Sequence, residues 1–314
     1  MVRIVSLLPA ATEIAAALGL MEQIVGVSHE CDYPSEANAR PRVTHCPVHN
    51  AGLTSDEVDG WVRTALRENG TIYTINEPLL RKLRPDMILT QKLCDVCAVG
   101  YGTVARLADT LPGSPQVVNL EPTSLSDIFG DIRRVAEMCG VPERADHLIA
   151  SLSERVENVR AMAKRDSHRP RCFLMEWVDP PFCSGHWAPE LMEIAGGHDP
   201  LGRKHRPSAK IDWPQIISAR PEIIVLALCG YNINRGQHDY ELLRNFPDFN
   251  SLPAAINGDV YVVDASAYFA RPGPRIVDSL EILAGILHPR EFPEFAPAGP
   301  GDQRVIRMGN QVTG

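Results

Sequence analysis

The chain has 314 residues, about twice the length of a typical domain, so two domains or one large α/β domain are expected. Hydrophobic residues make up 44% of the chain and charged residues 22%. This is enough apolar material for a full core and excludes global disorder. The 31 basic and 39 acidic side chains leave a formal net charge of -8, so no nucleic-acid partner is expected.

The N-terminus indicates the compartment. Met1 to Arg3 lead straight into a short apolar run, without the basic region, long apolar stretch and small-residue cleavage site of an export signal. We therefore expect a cytoplasmic protein, or a periplasmic one if this is the mature form of an exported chain. No apolar run reaches the roughly 18 residues that a membrane-spanning helix needs, so no membrane span is expected.

Short apolar runs alternate with amphipathic stretches along the chain, which predicts an α/β fold with mainly parallel sheets covered by helices. The predicted strands are residues 3–7, 24–28, 86–90, 116–119, 171–176, 222–226 and 260–264. The predicted helices outside the middle of the chain are residues 10–18, 55–68, 77–83, 102–110, 187–195, 213–219, 239–245 and 274–287. Gly19 and Gly70 stand where the first two of these helices are expected to end in a left-handed conformation.

The middle of the chain carries two helical patterns with no strand between them. Apolar residues recur at helical spacing over residues 124–139 and again after Pro142, and Gly140 separates the two patterns. Such a pair can form a rigid strut, whereas a Gly/Ser linker would let two lobes move freely. We predict an N-terminal lobe at residues 1–122, a helical strut at 123–166, a C-terminal lobe at 167–288 and a flexible, Pro- and Gly-rich tail at 289–314.

A short internal repeat suggests that the two lobes are related. Arg84-Pro85-Asp86 follows a predicted helix and opens a strand, and Arg220-Pro221-Glu222 does the same in the second half. A cysteine follows each of these strands, Cys94 in the first half and Cys229 in the second. The same tripeptide pattern is also a common joint between a helix and a strand, so both interpretations stay open.

Thiols and a histidine follow strands of the predicted N-terminal lobe, and ligands bind at the carboxyl ends of strands in open parallel sheets. Cys94 and Cys97 have the spacing of a metal-binding or redox pair, and His29 and Cys31 could complete four ligands for zinc or an iron–sulfur cluster. A redox dithiol of Cys94 and Cys97 is one alternative. Packing or direct ligand contact is the other, since cysteine is among the most buried residue types.

Aromatic and polar side chains follow the strands of the predicted C-terminal lobe. Their recurrence at successive strand ends suits a large flat ligand with a polar edge, although core packing is the alternative for each one. Small residues after the first strand can also bring backbone N–H groups close to a ligand. The candidate ligand-binding residues are Pro9, Ala10, Thr12, His29, Tyr33, Glu176, Trp177, His186, Trp187, Tyr231, Tyr268, Phe269 and Arg271.

Common enzyme signatures are missing from the sequence. It contains no G-x-S-x-G elbow, no H-E-x-x-H, no Walker A motif and no G-x-G-x-x-G after the first strand. No catalytic residue is therefore assigned. The sequence favours a binding protein over a hydrolase or a nucleotide enzyme.

Several motifs, in their order, resemble one family. They are the first strand with Ser6-Leu7-Leu8-Pro9-Ala10-Ala11-Thr12-Glu13, then Val25-Gly26-Val27-Ser28, the two Arg-Pro-acid joints, the long mid-chain helix and Ala195-Gly196-Gly197. Over about residues 1–288, the chain resembles the helical-backbone, or class III, substrate-binding proteins of ABC importers, which carry cobalamin, haem or ferric siderophores. It is most similar to the cobalamin-binding or cobalamin-transport-like branch. Residues 29–34 and 90–98 resemble members of that branch without an export signal.

The resemblance implies a periplasmic-binding-protein-like fold, with two lobes joined by a long rigid mid-chain helix, a cleft between them and little hinge motion. It also implies docking to a permease through an exposed acidic residue in the helix before each Arg-Pro-acid joint. Glu77 fits this role in the first lobe, whereas the second lobe offers Gln215. The chain also lacks the export signal of an importer's binding protein, so docking to a permease is a weaker expectation than ligand binding.

These observations predict a non-catalytic protein that binds a small-molecule metal chelate, above all cobalamin or another corrinoid, in the cleft between the lobes. The aromatic side chains would cover the ring faces and Arg271 would meet amide or carboxylate edges. His29, Cys31 or a thiol of the Cys94 and Cys97 pair could ligate the metal. The alternatives are a metal or iron–sulfur site formed by all four of these residues and a dithiol oxidoreductase that uses Cys94 and Cys97.

Overall fold

The fold is taken from a computed structural model, which describes residues 1–47, 53–69, 71–92, 100–299 and 301–309. The chain divides into two compact units. The N-terminal unit comprises Met1–Pro122 and Ser126–Ala150, and the C-terminal unit comprises Thr123–Leu125 and Ser151–Gly314. The division falls within the 22-residue helix Pro142–Ala163, one of the two mid-chain helices that the sequence predicts.

The N-terminal unit is built on a parallel sheet. Its elements in chain order are β1 (Ile4–Ser6), α1 (Pro9–Ala17), β2 (Ile24–Val27), β3 (Thr44–His45), α2 (Ser55–Asn69), β4 (Thr74–Ile75), α3 (Glu77–Leu83), β5 (Met87–Thr90), α4 (Tyr101–Ala108), β6 (Gln116–Asn119), α5 (Leu125–Met138) and α6 (Pro142–Ala163), the last of which continues into the other unit. The sheet has the order β2-β1-β5-β6 with all neighbours parallel. A separate antiparallel pair is formed by β3 and β4. Completely buried side chains such as Val5, Leu80 and Ile88 form the core on this sheet.

The C-terminal unit has a larger, mixed sheet. Its elements are β7 (Cys172–Trp177), β8 (Phe182–Cys183), β9 (Gly185–His186), α7 (Ala188–Ile194), β10 (Arg203–Lys204), β11 (Ala209–Lys210), α8 (Trp213–Ala219), β12 (Ile223–Leu226), α9 (Ile233–Leu243), α10 (Pro253–Asn257), β13 (Val260–Val263), α11 (Ile276–Leu287) and β14 (Val305–Arg307). The sheet order is β11-β8-β7-β12-β13-β14. Its central strands β7, β12 and β13 are parallel, and the outer strands are antiparallel to their neighbours.

The predicted fold class, α/β with mainly parallel sheets covered by helices, is confirmed. Each predicted strand is present within one residue of its predicted bounds. Gly19 follows α1 with a φ of 70°, in the left-handed conformation expected where a helix ends. Gly70 lies outside the described residues.

The two Arg-Pro-acid joints have the same backbone conformation. Arg84 ends α3 with a φ of 44° and Arg220 ends α8 with a φ of 47°. This left-handed conformation turns the chain sharply, and the proline that follows cannot continue a helix because it lacks the backbone N–H. The strands β5 and β12 therefore begin directly after the joints.

The acidic residue of each joint fastens the first strand of its own sheet. A carboxylate oxygen of Asp86 accepts the backbone N–H of Arg3 at 2.8 Å, and one of Glu222 accepts the backbone N–H of Arg171 at 2.8 Å. These two arginines also donate from Nε to the carbonyl oxygen of the left-handed arginine, at 3.1 and 3.2 Å. The same set of hydrogen bonds occurs in both units, which supports the internal repeat.

Helix α9 begins earlier than the sequence predicts, at Ile233 instead of residue 239. The side chain of Asn232 accepts the backbone N–H of Arg235 at 3.0 Å and caps the helix. The sequence does not predict this start because Gly236 lies in the first turns of the helix, and glycine is unfavourable in helix interiors. A Cβ at this position would lie 2.5 Å from Val262 Cγ1, so glycine allows the helix to pack closely on β13.

The structure differs from the prediction of a flexible tail after residue 288. Phe292 and Val305 are completely buried, and β14 pairs antiparallel with β13 as the last strand of the sheet. A Cβ on Gly285 would lie 2.3 Å from the backbone of Phe295, so glycine in α11 allows the tail to pass close to the helix. The described part of the tail is thus a component of the C-terminal unit.

Replacing Phe292 tests this attachment. Phe292→Ala removes a completely buried ring and should lower the free energy of unfolding by about 3–5 kcal/mol. Glu294→Ala, in the same tail but exposed, should change it by no more than about 0.5 kcal/mol. Urea denaturation of the full chain measures both values. Equal stabilities of the two variants would contradict a packed tail.

Candidate functional site

An aromatic pair lies at the carboxyl ends of two neighbouring strands in the C-terminal unit. Trp177 is the last residue of β7, and Tyr231 follows the adjacent parallel strand β12. Their ring centroids are 5.0 Å apart at an interplanar angle of 48°, and both side chains are partly buried. The indole Nε1 of Trp177 donates to the carbonyl oxygen of Asp179 at 3.0 Å, which fixes the ring orientation.

An arginine that the sequence analysis did not single out supports this pair. The guanidinium of Arg235 lies 4.8 Å from the ring centroid of Tyr231, within the range of a cation–π contact. Its Nη2 is 3.4 Å from the Tyr231 hydroxyl, and its Nε is 3.7 Å from a carboxylate oxygen of the fully buried Asp239. Arg235 was missed because it lies in the first turn of α9, which the sequence predicts as a loop.

Trp187 and Phe269 belong to the interior of the unit. Each is only 7% exposed, and the indole Nε1 of Trp187 donates to the carbonyl oxygen of Phe269 at 3.2 Å. The neighbouring His186 has a φ of 51° and its ring centroid is 5.6 Å from that of Trp187. Burial lowers the pKa of His186. The core-packing alternative therefore describes Trp187 and Phe269 better than direct ligand contact.

Two carboxyl groups hold the loops that follow β7. Glu176 accepts the backbone N–H of Gly185 at 2.9 Å, and burial raises its pKa to about 7. Asp199 accepts hydrogen bonds from Ser184 Oγ at 2.7 Å and from the backbone N–H of Gly202 at 3.0 Å. Burial raises the pKa of Asp199 to about 6. Glu176 thus binds the backbone of the residue before His186. Asp199, which was not predicted from the sequence, binds the side chain of Ser184 in the same loop.

The segment after β13 carries Tyr268 and Arg271. The side chain of Asp264 accepts the backbone N–H of Ala267 at 2.8 Å, which starts a single π-helical turn over Ala265–Phe269. The guanidinium of Arg275 lies 5.4 Å from the ring of Tyr268. Tyr268 is partly buried, whereas Arg271 is only 6% exposed, so Tyr268 is the more accessible of the two predicted ligand contacts.

In the N-terminal unit, the buried side chain of Thr12 contacts residues at the carboxyl ends of the first two strands. Thr12 Oγ1 is 2.8 Å from Ser6 Oγ and donates to the Cys31 sulfur at 3.1 Å, and all three residues are completely buried. Of the small residues predicted to approach a ligand, Ala10 is buried and Pro9 is partly buried. Thr12 therefore contributes to the interior of this unit, close to Cys31.

His29 and Tyr33 have different surroundings on the next loop. The backbone N–H of His29 donates to Thr44 Oγ1 at 3.0 Å, and its Nδ1 lies 2.8 Å from the same oxygen. The His29 ring is 5.4 Å from that of Tyr73. Tyr33, in contrast, is 47% exposed. Two of the four predicted metal ligands, His29 and Cys31, lie on the loop after β2. The other two, Cys94 and Cys97, lie outside the described residues, so the four-ligand set stays a prediction.

A polar cavity of about 530 Å³ lies beside β6 and α5 in the N-terminal unit. Glu121, Asp127, Asp131 and Arg134 are among its lining residues. Asp131 is only 4% exposed and its Oδ1 is 3.5 Å from Nη1 of Arg134. Burial raises the pKa of Asp131 to about 7. This acidic lining does not suit the apolar face of a ring, so the cavity is a poor match for the predicted ligand.

The sequence matches the periplasmic binding protein family over residues 4–267. The chain belongs to this family. The resemblance that the sequence motifs carry is therefore confirmed. The family description places its members in the periplasm and gives no support to the cytoplasmic expectation. Within the described residues, no helix combines the length and apolar character needed to cross a membrane.

The similar proteins are named for two kinds of ligand, vitamin B12 and heme. The vitamin B12-binding protein of Photorhabdus laumondii subsp. laumondii is 25% identical over 285 residues, covering 90% of this chain and 86% of that protein. Among solved structures, the apo periplasmic heme-binding protein RhuT from Roseiflexus sp. RS-1 has a TM-score of 0.69, 20% identity and coverage of 92% and 98% of the two chains. The periplasmic vitamin B12 binding protein BtuF of Vibrio cholerae has a TM-score of 0.65, 22% identity and coverage of 91% and 96%. These two solved structures share the fold of the present chain.

The buried Asp131 predicts how stability depends on pH. The pKa of an aspartate in the unfolded chain is about 3.9, whereas the pKa of Asp131 in the folded protein is raised to about 7. Between these values the native state binds more protons than the unfolded state, so the free energy of unfolding falls as pH rises. Asp131→Asn, which resembles the protonated form, should show a shallower fall than the wild type between about pH 5 and 8.

Urea denaturation at several pH values measures this difference. Glu137→Gln is the matched control, because Glu137 is exposed on the same helix and should keep the wild-type pH dependence. A pH profile of Asp131→Asn that runs parallel to the wild type would show that Asp131 is ionised in the folded protein over the whole range.

Proposed function

We propose that this protein is a non-catalytic binding protein for a corrinoid, cobalamin or a close relative, and that the Trp177–Tyr231 pair contacts the ligand. The observation that carries the proposal is the position of this pair, partly exposed at the carboxyl ends of two adjacent parallel strands. Ligands of open parallel sheets bind at these ends. The curated relatives named as vitamin B12-binding proteins support the choice of ligand class.

The geometry of the pair suits a broad, rigid ligand. Aromatic side chains provide a large apolar contact area, and the two rings are already held by the Trp177 hydrogen bond to Asp179 and by Arg235 beside Tyr231. Groups that are held before binding lose little freedom when the ligand arrives, which favours affinity. A planar tetrapyrrole-like ring can therefore lie against this surface without ordering a new loop.

The polar groups around the pair favour a ligand with uncharged edges. The Tyr231 hydroxyl lies 3.4 Å from Nη2 of Arg235, and the Arg235 Nε is 3.7 Å from the carboxylate of Asp239. Since Asp239 offsets part of the arginine charge, the edge presents a hydroxyl group and a partly compensated guanidinium more than a free cation. The amide side chains of a corrin can form hydrogen bonds with such an edge, whereas the two carboxylates of haem bind more strongly to cations that no acidic side chain offsets.

The two helices before the Arg-Pro-acid joints differ at the position expected to dock a permease. The position seven residues before the left-handed arginine is Glu77 in α3, and by the same spacing it is Trp213 in α8. The expected second-lobe partner Gln215 has another task, since its side chain accepts the backbone N–H of Asp212 at 2.8 Å in a capping box. Only the first of these two helices presents the acidic residue at this position.

Titration with cyanocobalamin tests the proposal. Binding should shift the corrin absorbance and quench tryptophan emission, because the ring would lie next to Trp177. Trp177→Ala and Tyr231→Ala should each weaken binding by roughly 1–3 kcal/mol if they are buried contacts. Trp213→Ala is the matched control: Trp213 packs on Phe246 with ring centroids 4.8 Å apart and is not one of the proposed contacts. Its affinity should equal that of the wild type.

Parallel titrations with haemin and a ferric siderophore separate the ligand classes. Tighter binding of cyanocobalamin than of haemin supports the proposal. Binding of haemin alone would overturn the corrinoid assignment while keeping the aromatic pair as a chelate contact if Trp177→Ala weakens it. Equal affinities of the wild type and both pair variants would show that Trp177 and Tyr231 do not contact the ligand.

A further inference from the structure

A second cluster of metal-binding side chains lies away from the aromatic pair. Asp166, His288 and Glu291 each offer one ligand atom, and these atoms all lie within 4.8 Å of one another. Asp166 follows α6 in the segment that leads to the amino end of β7, whereas Trp177 is at the carboxyl end of that strand. His288 directly follows α11, and Glu291 lies three residues further on. The sequence analysis did not predict this cluster.

The surroundings of His288 determine where its protons can be. The side chain is 1% exposed. Its Nε2 lies 3.3 Å from the carbonyl oxygen of Gly196, and its Nδ1 lies 3.3 Å from Oδ2 of Asp166. A carbonyl oxygen can only accept a hydrogen bond, so Nε2 must carry the proton in the neutral ring. The Nδ1 lone pair of a neutral ring then points at a carboxylate oxygen, and a positive species is needed between them.

A proton or a metal ion can serve as that species. A proton on Nδ1 would give an imidazolium paired with Asp166, but Glu291 places a carboxylate oxygen within 4.8 Å of the ligand atoms of both residues. One proton compensates one carboxylate, whereas a divalent ion compensates both. Ligand atoms on a tetrahedral zinc ion at about 2.0–2.1 Å are separated by about 3.3 Å, which matches the distance between His288 Nδ1 and Asp166 Oδ2.

We propose that Asp166 Oδ2, His288 Nδ1 and a carboxylate oxygen of Glu291 form a binding site for a divalent transition metal ion such as Zn²⁺. One imidazole nitrogen and two carboxylate oxygens suit zinc or cobalt. Three protein ligands leave a fourth position for water. The Nε2–H bond to Gly196 fixes the ring tautomer and aims Nδ1 at the site, as outer hydrogen bonds do for metal-binding histidines.

The backbone around the cluster is shaped for this histidine. A Cβ on Gly196 would lie 2.7 Å from His288 Nε2, so the glycine makes room for the ring. The backbone N–H of His168 donates to Oδ1 of Asp166 at 2.8 Å, which leaves Oδ2 directed at the imidazole. An ion here would join the segment after α6 to the end of α11 within the C-terminal unit.

Metal titration of the purified full-length protein tests the site. The chain should bind one equivalent of Zn²⁺ by calorimetry. Asp166→Asn and Glu291→Gln should each lower the affinity by at least about tenfold, since even outer-shell changes cost about 10–100-fold. Glu294→Gln is the matched control, because it makes the same chemical change at an exposed position three residues further along. Its affinity should equal that of the wild type.

Asp166→Asn also separates loss of the metal from loss of the fold. An asparagine amide at this position can donate a hydrogen bond to Nδ1 of neutral His288 and still accept the N–H of His168, so the metal-free variant should melt at or above the temperature of the metal-free wild type. Added Zn²⁺ should then raise the melting temperature of the wild type and Glu294→Gln but not that of Asp166→Asn.

Cobalt distinguishes this cluster from the cysteines. Co²⁺ bound by nitrogen and oxygen lacks the intense near-ultraviolet charge-transfer band that thiolate ligands produce. A spectrum without that band, with affinity lost in Asp166→Asn, supports the proposal. A thiolate band, or equal affinities of the Glu291→Gln and Glu294→Gln variants, would overturn it. So would nitrogen NMR that shows both nitrogens of His288 protonated in the presence of Zn²⁺.

Discussion

The left-handed arginine joints hold both sheets in register. A non-glycine residue in this conformation costs on the order of 1–2 kcal/mol, yet Arg84 and Arg220 both adopt it. The hydrogen bonds around each joint stabilise it, because the acidic residue and the left-handed carbonyl both bind the arginine that precedes the first strand. In each unit, the residue after that arginine then pairs with the residue after the acid, Ile4 with Met87 and Cys172 with Ile223.

This register determines where the candidate ligand contacts lie. Because β7 and β12 are fixed relative to one another at their amino ends, their carboxyl ends also reach the same edge of the sheet. Trp177 and the turn that carries Tyr231 then meet at 5.0 Å. The backbone N–H of Ser266 donates to the carbonyl oxygen of Tyr231 at 3.0 Å, so the loop after β13 joins the same surface. The aromatic pair therefore depends on hydrogen bonds made at the opposite end of the strands.

Much of the fold could be predicted from the sequence, because the central parallel strands are continuous apolar runs between helical patterns. The short strands could not, since two-residue elements such as Phe182–Cys183 contain no period to detect. The strand Val305–Arg307 was missed because the Pro- and Gly-rich segment before it resembles a loose tail, although Val305 is completely buried against its neighbours. Local pattern carries no information about a strand that is added to a distant sheet edge.

In the candidate site, the direction of each aromatic side chain depends on contacts that the sequence does not show. Aromatic residues were correctly expected near strand ends, but their position in the sequence does not tell whether a ring turns inward or outward. Trp187 is 7% exposed and donates a hydrogen bond to the carbonyl oxygen of Phe269, whereas Trp177 is partly exposed. Arg235 and His288 were not predicted, because their roles depend on partners from other elements, Tyr231 in one case and Asp166 in the other.

The two proposed sites lie towards opposite ends of β7 and use different physical properties. At the carboxyl end of β7, a preformed aromatic surface offers area and shape, so it can select a class of flat ligand, while the surrounding hydrogen-bonding groups select among members of that class. Near the amino end, a buried imidazole faces two carboxylates, so charge and ligand type decide what binds. Since β7 connects these ends through hydrogen-bonded backbone and not through shared side chains, each site can be altered without changing the residues of the other.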